Sequence, residues 1–494
     1  MTQKPLNEVS CLRFGLLCNS LKLERWQADA IRQLIEGGMQ MAVVVTNDMP
    51  QAKESLFKKL RAYPYRQVLF RVWDRYIFRP KSKSLVDIRQ LIHTAEIIQI
   101  RPKTKGISNY FKDEDVHKLK TLNLDFILRF GFNIIRGDIL GVAKYGAWSF
   151  HHDDEEVIRG GPPGFWEVYK GSHINAVILQ QLTDSLDKGI ILKKDYYRSI
   201  KHSYRAHLDQ IYSESSRMPI QVCRKILEGR TLFTPSASKA KIYRPPNNMQ
   251  FIWFACKMIY RRISFHIRHL FWQEDWNVGL INRELETIID LPELSNQETI
   301  WLSKTRASDY TADPFVASYR GEVMLFYELF RYAKGKGIIA MSKASENFQK
   351  VHKVLSGDFH YSFPFVFKHH DELYCIPECY ESNSIRLFHW HAQDQIFRFE
   401  KELISNVSAV DPVLFELNGL WWLLFTKKHL PSVHLYAYHA KSMFGPFTAH
   451  YNNPIKSDVS SSRNAGSIIK SGGKVIRPAQ DCARDYGVAV VLNE

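Results

Sequence analysis

Two side chains in the first part of the chain stand where an α/β protein would bind a ligand. A strand-like run that follows Gly146 ends at His151, and the run 184–192 places Asp187 in a loop just before another strand. Open α/β sheets bind ligands at the carboxyl ends of their strands, and histidine exchanges protons near neutral pH. We therefore expect His151 to lie where a ligand would bind. The alternative is that both side chains only form hydrogen bonds in a core or lie on the surface.

The elements before His151 follow the order of a doubly wound fold. The apolar pattern predicts a strand at 12–19, a helix at 23–36 and a strand at 41–45, with further strands at 95–100 and 125–129. Strand, helix and strand in succession indicate a Rossmann-like α/β domain. The first turn has no GxGxxG motif, which disfavours a nicotinamide enzyme.

Three short motifs in this part occur in a fixed order. They are Gly146-Ala-Trp-Ser149-Phe-His151, then Arg159-Gly160, then Leu186-Asp187-Lys-Gly189. In order and spacing they resemble the core of the methionyl-tRNA and sugar N-formyltransferase family, which reads G-x-x-N-x-H, R-G and L-D-x-G. The resemblance covers roughly residues 12–195. It implies an α/β formyltransferase-like domain at 1–197.

The resemblance also implies a reaction, acyl transfer from 10-formyltetrahydrofolate as donor substrate to an amine. His151 would take or relay the proton of the attacking amine, and Asp187 would hold His151 in one tautomer. Arg159, Gly160 and Asp187 would border the folate. Ser149 stands where the family has asparagine, and one such oxyanion donor is typically worth about 10²–10³ in rate. Retained activity, another acyl donor and an altered domain all stay open.

The middle segment, 198–272, is predicted to be a basic, mainly helical insert or linker. Between Arg198 and Arg268 it has 14 Lys and Arg against three acids, 14 − 3 = +11. Such an excess predicts an anionic partner, which is nucleic acid, a phosphate on the carrier of a substrate, or an anionic membrane surface met by residues 198–270. A solvated linker face is the alternative. The apolar and basic helix predicted at 251–271 fits a membrane surface and domain packing equally well.

The second half, 273–494, has the pattern of an all-β domain. Short aromatic strands alternate with turn residues, and two loosely similar units at 363–378 and 411–426 indicate a bladed repeat. Its motifs, among them ADPF (312–315), YCIPE (374–378) and RNAG (463–466), resemble the propeller-like domain of plant glucosamine inositolphosphorylceramide transferases and their bacterial relatives. The resemblance implies a five-bladed β-propeller similar to those of some glycoside hydrolases.

Three acids of this domain are candidates for its central funnel, and several polar residues are candidates for sugar contacts. Glycoside hydrolysis requires two carboxylates about 5–9.5 Å apart. The alternative, in which these residues cap turns and close blades, favours a binding or dormant propeller over a hydrolase. The candidates are the acids Asp313, Glu378 and Asp411 and the contact residues Arg463, Asn464, Gln480 and Asp481.

Composition narrows the cellular setting. The seven cysteines are irregularly spaced without a CxxC pair, which predicts free thiols in a reducing compartment and no zinc or other metal site. The first residues lack the pattern of a signal peptide, and no run of 18 apolar residues occurs. We expect a cytoplasmic protein, with peripheral attachment to the inner face of the membrane as a further expectation.

These features combine into three hypotheses. The first is N-formyl or related acyl transfer to a nucleotide- or lipid-linked amino sugar in bacterial surface polysaccharide biosynthesis. The second is a glycan-binding or glycan-processing propeller protein whose first domain is catalytically altered. The third is formylation of an aminoacyl-tRNA. It ranks last, and nucleic acid is not the partner we favour, because no recognised RNA-binding module occurs.

Overall fold

The computed structural model describes residues 11–48, 65–92, 94–184, 189–230, 233–236, 238–283, 299–303 and 309–494. The chain divides into two units, residues 1–267 and 268–494. Each unit is described by itself below.

The first unit contains fifteen strands within its described residues, of two to nine residues each. They are β1 (Arg13–Cys18), β2 (Lys22–Glu24), β3 (Gln40–Asn47), β4 (Leu85–Asp87), β5 (Glu96–Ile100), β6 (Lys103–Lys105), β7 (Ser108–Tyr110), β8 (Phe126–Arg129), β9 (Ile134–Arg136), β10 (Ala147–His151), β11 (Arg159–Gly160), β12 (Ile174–Gln181), β13 (Ile190–Arg198), β14 (Thr234–Pro235) and β15 (Ile242–Tyr243).

Eight of these strands form one mixed sheet in the order β14-β13-β12-β10-β8-β1-β3-β5. Neighbours from β10 to β5 are parallel, and β12, β13 and β14 extend the sheet in antiparallel pairing. The central strands β1 and β8 are almost wholly buried, as apolar runs in a parallel sheet covered on both faces must be. The α/β class predicted for this part is confirmed.

The α-helices within the described residues are α1 (Arg25–Glu36), α2 (Val68–Val72), α3 (Asp113–Lys120), α4 (Phe165–Lys170), α5 (Tyr204–Ser215), α6 (Met218–Leu227) and α7 (Asn248–Phe271). Helix α1 begins with a capping box between Glu24 and Gln27 and buries Trp26, Ile31 and Leu34. None of the helices within the described ranges is long and apolar enough to cross a membrane.

Helices α5 and α6 belong to the first unit rather than to a separate insert over 198–272. Both bury apolar faces, with Ile211 and Ile220 among the buried residues. Gly37 at the end of α1 lies so close to Ile220 that an added Cβ would meet its Cδ1 at 2.3 Å. The side chain of Gln33 also donates to Ser216 Oγ at 2.9 Å. Packing against α1 is the physical reason for this difference from the expected boundary.

The second unit is built from strands throughout its described residues. They are β16 (Gly279–Ile281), β17 (Thr299–Trp301), β18 (Asp309–Tyr319), β19 (Glu322–Arg331), β20 (Lys336–Lys343), β21 (His352–Leu355), β22 (Ser362–His369), β23 (Glu372–Glu378), β24 (Ser384–His391), β25 (Ile396–Ser405), β26 (Ala409–Leu417), β27 (Leu420–Lys427), β28 (His434–Ala440), β29 (Thr448–Ala449), β30 (Lys456–Ser457), β31 (Ile469–Ser471), β32 (Lys474–Asp481) and β33 (Ala489–Asn493).

These strands form five successive antiparallel sheets, which are the blades of a five-bladed propeller. The sheets are β16–β17, β18–β21, β22–β25, β26–β29 with β30, and β31–β33. Alternating apolar residues of neighbouring blades meet in a large core that includes Phe326, Leu387 and Phe425. The all-β class predicted for the second half is confirmed.

One backbone arrangement recurs at the start of three successive blades. In β18, β22 and β26 the pairing register shifts at a bulge, and the residue at the bulge has a positive φ: Asp313 (51°), Phe363 (43°) and Asp411 (47°). A proline follows each of them. A bulge bends the strand and redirects a side chain. The repeat thus directs one side chain out of each strand at an equivalent position.

The second strand of each of these blades also has an equivalent position. The residue before each bulge pairs with Glu328 in β19, Glu378 in β23 and Thr426 in β27. Two successive blades therefore place a glutamate next to a bulge, and the third places a threonine there.

Candidate functional sites

The carboxyl end of β10 brings Ser149 and His151 to one side of the central sheet. Successive side chains of a strand alternate between its faces, so Phe150 points to the other side. Arg129 ends the neighbouring parallel strand β8, and its Nη1 donates to Ser149 Oγ at 2.9 Å. Ser149 is buried, whereas His151 is half-buried with its Nε2 3.5 Å from the Ile158 carbonyl oxygen. Three polar side chains thus gather at the ends of two adjacent strands.

Arg129 supplies a positive charge at this edge of the sheet. Burial lowers the pKa of its guanidinium to about 10, so the group stays charged at neutral pH. Its Nη2 donates to the Asn133 carbonyl oxygen, and its Nε has no hydrogen-bond partner within the described part of the chain. A fixed cation can stabilise negative charge on a bound group through the second N–H of Nη1 or Nη2, because Nε is buried from solvent. Arg129 was missed in the sequence, where its only signal was its place at the end of a strand-like run.

The other face of β10 is an aromatic core. The rings of Phe150 and His152 lie 5.1 and 4.9 Å from that of Trp26. His152 Nε2 is 3.3 Å from Ser215 Oγ. Burial, with a smaller contribution from the neighbouring His151, lowers the pKa of His152 well below its ordinary value. His152 is therefore a neutral core side chain, and His151 is the histidine that a ligand could reach.

The Arg159-Gly160 segment is fixed by pairing with a strand from the basic region. β11 runs parallel to β15, and Arg159 Nη1 donates to the Ser238 carbonyl oxygen at 3.2 Å. Gly160 has a φ of +99°, and a Cβ there would lie 2.1 Å from the Tyr243 carbonyl oxygen. Only glycine fits both the backbone conformation and the space. The Nη1 donor of Arg159 is thus engaged by the backbone at Ser238.

Asp187 lies outside the described residues. The nearby Asp184 is described, and its Oδ1 accepts a hydrogen bond from the backbone N–H of Gly137 at 3.0 Å. The pairing of Asp187 with His151 therefore stays a prediction.

Two buried carboxyl groups lie beside the loop that follows Gly160. Asp153 is fully buried and accepts from the Gly164 N–H at 2.6 Å, just before α4. Glu167 of α4 is 2% exposed. Burial raises the pKa of Glu167 to about 7, and burial together with the charge of Glu167 raises that of Asp153 well above its ordinary value. Burial and mutual repulsion therefore disfavour the simultaneous ionisation of Asp153 and Glu167.

Three successive acids, Asp154, Glu155 and Glu156, bring carboxylate oxygens close together. The ammonium of Lys194 lies 2.8, 3.1 and 3.1 Å from them. A cation from the protein thus already occupies the centre of this group, which makes it an ion-pair cluster.

The second unit encloses a cavity of about 430 Å³ at the centre of its blades. Of the residues predicted for the funnel, Asp313, Glu378, Arg463 and Gln480 line it. Glu328 lines it as well and was missed in the sequence, although it ends the strand run LFYE (325–328) at the position equivalent to Glu378. Acids from two blades therefore face one cavity.

Asp411 lies behind this cavity in a buried ion pair. Arg463 Nε donates to Asp411 Oδ2 at 2.5 Å, and Gln480 Nε2 donates to the same oxygen at 2.9 Å. The backbone N–H of Asp411 donates to Glu378 Oε2 at 3.0 Å. Arg463 also lies over the ring of Tyr486, 4.6 Å from its centroid. Asp411 thus holds Arg463 and Gln480 in place at the back of the cavity.

Burial, and then repulsion between neighbouring acids, raises the pKa of several of these carboxyl groups. Asp313 is half-buried because one side faces the cavity, and its Oδ2 accepts from the Phe363 N–H at 3.2 Å. Burial, and then the charge of Asp411, raises the pKa of Asp313 to about 7. Burial and neighbouring acids raise the pKa of Glu328 and Glu378 well above their ordinary values. Protonated and ionised carboxyl groups side by side can donate and accept protons.

Two predicted sugar contacts do not line the cavity. Asn464 is fully buried, and its amide donates to the Asp411 carbonyl oxygen at 2.8 Å and the Leu424 carbonyl oxygen at 3.1 Å. Asp481 accepts from the Ala483 N–H at 2.9 Å. Asn464 therefore joins blades, and Asp481 caps a turn, as the alternative interpretation expected for residues of these types.

Comparison with known proteins gives separate relatives for the two units. Residues 299–494 match the protein family described as "Glucosamine inositolphosphorylceramide transferase 1, N-terminal". Glucosamine inositolphosphorylceramide transferase 1 of Oryza sativa subsp. japonica is 31% identical over 194 residues, which are 37% of this chain and 26% of the rice protein. The chain thus spans about a quarter of that relative's length.

The second group of relatives consists of methionyl-tRNA formyltransferases. One from Prochlorococcus marinus is 28% identical over 123 residues, which are 24% of this chain and 34% of the relative.

Two solved structures are also similar. Glycinamide ribonucleotide transformylase 1 from Symbiobacterium toebii covers 48% of this chain and 99% of its own, with a TM-score of 0.33 and 14% identity. The exo-beta-1,3-galactanase from Phanerochaete chrysosporium covers 37% and 46%, with a TM-score of 0.30 and 15% identity. The chain therefore combines an α/β unit and a five-bladed propeller unit, with sequence similarity to methionyl-tRNA formyltransferases and to the N-terminal part of glucosamine inositolphosphorylceramide transferase 1.

Proposed function

We propose that this protein transfers a formyl or related acyl group to the amine of an amino sugar on a nucleotide or lipid carrier, in bacterial surface glycan biosynthesis. The donor substrate is 10-formyltetrahydrofolate. The observation that carries the proposal is the grouping of Ser149, His151 and Arg129 at the carboxyl edge of the parallel sheet. Relatives of both units support it, because one group is named for formyl transfer and the other for glucosamine, an amino sugar.

The reaction requires two functions at this edge of the sheet, proton transfer and stabilisation of an oxyanion. The amine nitrogen attacks the formyl carbon, the bond from that carbon to N10 of the folate breaks, and one proton moves from the amine to the departing nitrogen. His151 is half-buried and within reach of a ligand, so it takes the proton from the amine and returns it to N10. The formyl oxygen gains negative charge during the attack and requires a donor.

Arg129 supplies that donor, and Ser149 is the positioning residue that holds it. The family asparagine would present an amide N–H, whereas the Ser149 hydroxyl here accepts a hydrogen bond from Arg129. The guanidinium keeps its charge, and Nη1 and Nη2 each carry a second N–H besides the one that donates to Ser149 or Asn133, whereas Nε is buried from solvent. A charged donor forms a stronger hydrogen bond than a neutral amide does. The exchange of asparagine for serine is thus matched by a cation on the neighbouring strand.

The decisive experiment measures two quantities on the same variants. We expect His151→Ala to lower kcat for formyl transfer to an amino-sugar nucleotide by about 10²–10⁴. Binding of a stable tetrahydrofolate analogue, followed by calorimetry, should change little. His117→Ala, which alters an exposed histidine of α3, is the matched control. Absence of analogue binding at millimolar concentration would exclude a folate donor. Unchanged turnover in His151→Ala would exclude the assigned role.

The propeller cavity supports a second function, binding or processing of a glycan. Acids of two blades, Asp313, Glu328 and Glu378, line one open cavity. The pKa of Asp313 is raised to about 7, so its carboxyl group occurs in both protonation states near neutral pH, and glycoside hydrolysis uses both states. Titration with oligosaccharides tests binding, and Glu378→Gln should weaken it. Release of reducing sugar by the wild type alone would add hydrolysis.

Formylation of an aminoacyl-tRNA ranks third and makes a distinct prediction. It requires the basic region to bind RNA with an affinity that falls steeply with salt concentration. Failure of tRNA to compete with an amino-sugar acceptor at low salt would remove this hypothesis.

A further inference from the structure

Helix α7 has two apolar stripes, of which one is packed and the other is exposed. The packed side carries Phe254, which is 3% exposed and lies 4.4 Å from the ring of Phe165. The opposite side exposes large apolar side chains over the whole length of the helix. These include Met249, Trp253, Tyr260, Ile263, Ile267 and Leu270.

The exposed residues follow helical spacing. At 3.6 residues per turn, the six residues just named fall within about 100° of one another around the helix axis. Trp253, Ile263 and Leu270 are 56%, 54% and 77% exposed. Soluble domains rarely expose a continuous apolar surface of this length unless it meets a partner. The stripe is therefore an interaction surface.

The charges of the helix identify the partner. Residues 248–271 contain Lys257, Arg261, Arg262 and Arg268 and no aspartate or glutamate. By the same helical geometry Lys257 and Arg268 lie beyond one edge of the exposed stripe, and Arg262 lies beyond the other. Arg261 lies close to the direction of Phe254, on the packed side. An apolar stripe flanked by cations is typical of helices that lie in the surface of an anionic bilayer.

Helix α7 is held in this orientation by the body of the first unit. Lys257 Nζ donates to the Tyr169 carbonyl oxygen at 3.1 Å, and Arg261 Nη1 donates to the Val168 carbonyl oxygen at 2.5 Å. Both acceptors belong to α4, which follows the Arg159-Gly160 segment. The exposed stripe from Met249 to Ile267 thus belongs to the folded first unit and lies on the side of α7 away from α4.

An apolar cavity of about 550 Å³ opens beside the same helix. Its walls are Trp73, Phe78, Phe251, Phe254, Met258 and Ile259. His202, Arg205 and Arg262 also line it, and no acid does among the described residues. Aromatic and aliphatic walls with cations beside them suit a hydrocarbon chain attached to a phosphate.

We propose that α7 lies on the surface of an anionic phospholipid bilayer, with its exposed stripe among the lipid chains and the exposed Arg262 and Arg268 at the phosphates, and that the adjoining cavity takes the chain of a phosphate-bearing lipid from that bilayer. The docking stands independently of the proposed reaction. Identifying that lipid as the carrier of the amino sugar rests on the proposed function.

Vesicle flotation with the full chain tests the docking. The protein should float with vesicles of phosphatidylcholine and phosphatidylglycerol, bind phosphatidylcholine alone much less, and dissociate as salt rises. Ile263→Asp should weaken vesicle binding by about tenfold or more, because it places a charge among lipid chains. Ile107→Asp is the matched control, since Ile107 is 69% exposed in the same unit but lies outside α7. Its binding should equal that of the wild type.

Cys256 provides a direct probe of depth. It is exposed at the middle of the stripe, and Cys11 is the other exposed cysteine within the described residues. An environment-sensitive fluorophore on Cys256 in a Cys11→Ser background should shift to the blue and increase in intensity when anionic vesicles are added. The same label on Cys11 in a Cys256→Ser background should not change.

Two outcomes would overturn the proposal. One is a wild-type protein that stays unbound with anionic vesicles at low salt. The other is a dimer in sedimentation that Ile263→Asp dissociates while vesicles bind neither form, because the stripe would then be an interface between two copies. A protein that floats but does not transfer formyl groups would contradict only the proposed function. Binding of a soluble short-chain phospholipid, measured in the absence of vesicles, distinguishes the cavity from the stripe, because no bilayer surface is then present.

Discussion

At the scale of single residues, the pair of Arg129 and Ser149 carries the most testable claim about catalysis. Truncation of the guanidinium in Arg129→Met should lower kcat by about 10²–10³, the usual effect of removing one oxyanion donor, with KM nearly unchanged. Ser149→Ala should lower kcat less, since the guanidinium remains but loses its acceptor at 2.9 Å. Steady-state kinetics of formyl transfer checks both values.

Ser149→Asn is the informative companion variant. An amide oxygen can accept from Arg129, and the amide N–H adds a donor, so we expect activity close to that of the wild type. If Ser149→Asn is as slow as Ser149→Ala, then Ser149 acts through its hydroxyl and not through Arg129.

The buried pair of Asp153 and Glu167 predicts a dependence of stability on pH. The pKa of Glu167 is raised from 4.5 to about 7, so its contribution to stability is fully present below its unfolded value and is lost as pH rises through about 7. Glu167→Gln cannot ionise and should therefore gain up to about 3 kcal/mol relative to the wild type above that pH. Chemical denaturation between about pH 5 and pH 8 measures the difference. A constant difference across this range would contradict the assignment.

His151 and Ser149 could be predicted from sequence because a local motif with fixed spacing carries them. Arg129 and Glu328 could not be predicted in the same way. Arg129 meets Ser149 only because β8 and β10 are neighbours in a parallel sheet. Glu328 reaches the cavity only because it pairs with the residue before a bulge. The local sequence of one strand does not show which residues of another strand it will contact.

At the scale of elements, the β11–β15 pairing depends on the missing side chain of Gly160. Gly160→Ala brings a methyl group into the Tyr243 carbonyl oxygen at a φ that disfavours alanine. We expect a loss of about 2–4 kcal/mol and weaker binding of the folate analogue. Gly161→Ala is the matched control, because its nearest contact would be an ordinary 3.7 Å from Pro163. Thermal unfolding and calorimetry compare the two, and equal effects would contradict the steric argument.

The bulges of the propeller place two aspartates in equivalent positions with different surroundings. Asp411→Asn removes the charge opposite buried Arg463 and should cost about 3 kcal/mol or more. Asp313→Asn should instead be close to neutral at about pH 5 and stabilising at about pH 8. The pKa of Asp313 is raised to about 7, so its contribution to stability is lost as pH rises through that value. Denaturation at both pH values separates the two aspartates, and the same response in both variants would be contrary evidence for the ion pair.

The order of elements was largely predictable, whereas their assignment to units was not. Apolar runs predicted β1, β3 and β8 within a residue or two of their observed ends, because buried parallel strands have a simple signature. The helices α5 and α6 were expected in an insert, and nothing in their own sequence indicates that Ile220 packs against Gly37. Such packing depends on residues far apart in the chain.

At the scale of the whole molecule, the division at residues 267 and 268 predicts two cooperative transitions. Gly160→Ala should lower the midpoint of one transition only, and Asp411→Asn that of the other only. Scanning calorimetry of the full chain with each variant and with the double variant checks this, because independent changes add. A single transition that both variants shift would show that the units unfold together.

The unequal chemistry of the blades has a consequence for any ligand in the propeller cavity. Two neighbouring blades contribute the acids Asp313, Glu328 and Glu378. The last part of the chain contributes Arg463, which precedes β31, and Gln480 of β32. The three acids and the donors of Arg463 and Gln480 therefore reach the cavity from different parts of the chain, so its lining is chemically unequal. A sugar that carries an ammonium group would have a single favoured orientation, with its nitrogen toward the acids. The cavity would thus fix the orientation of a bound sugar even if it never cleaves a bond.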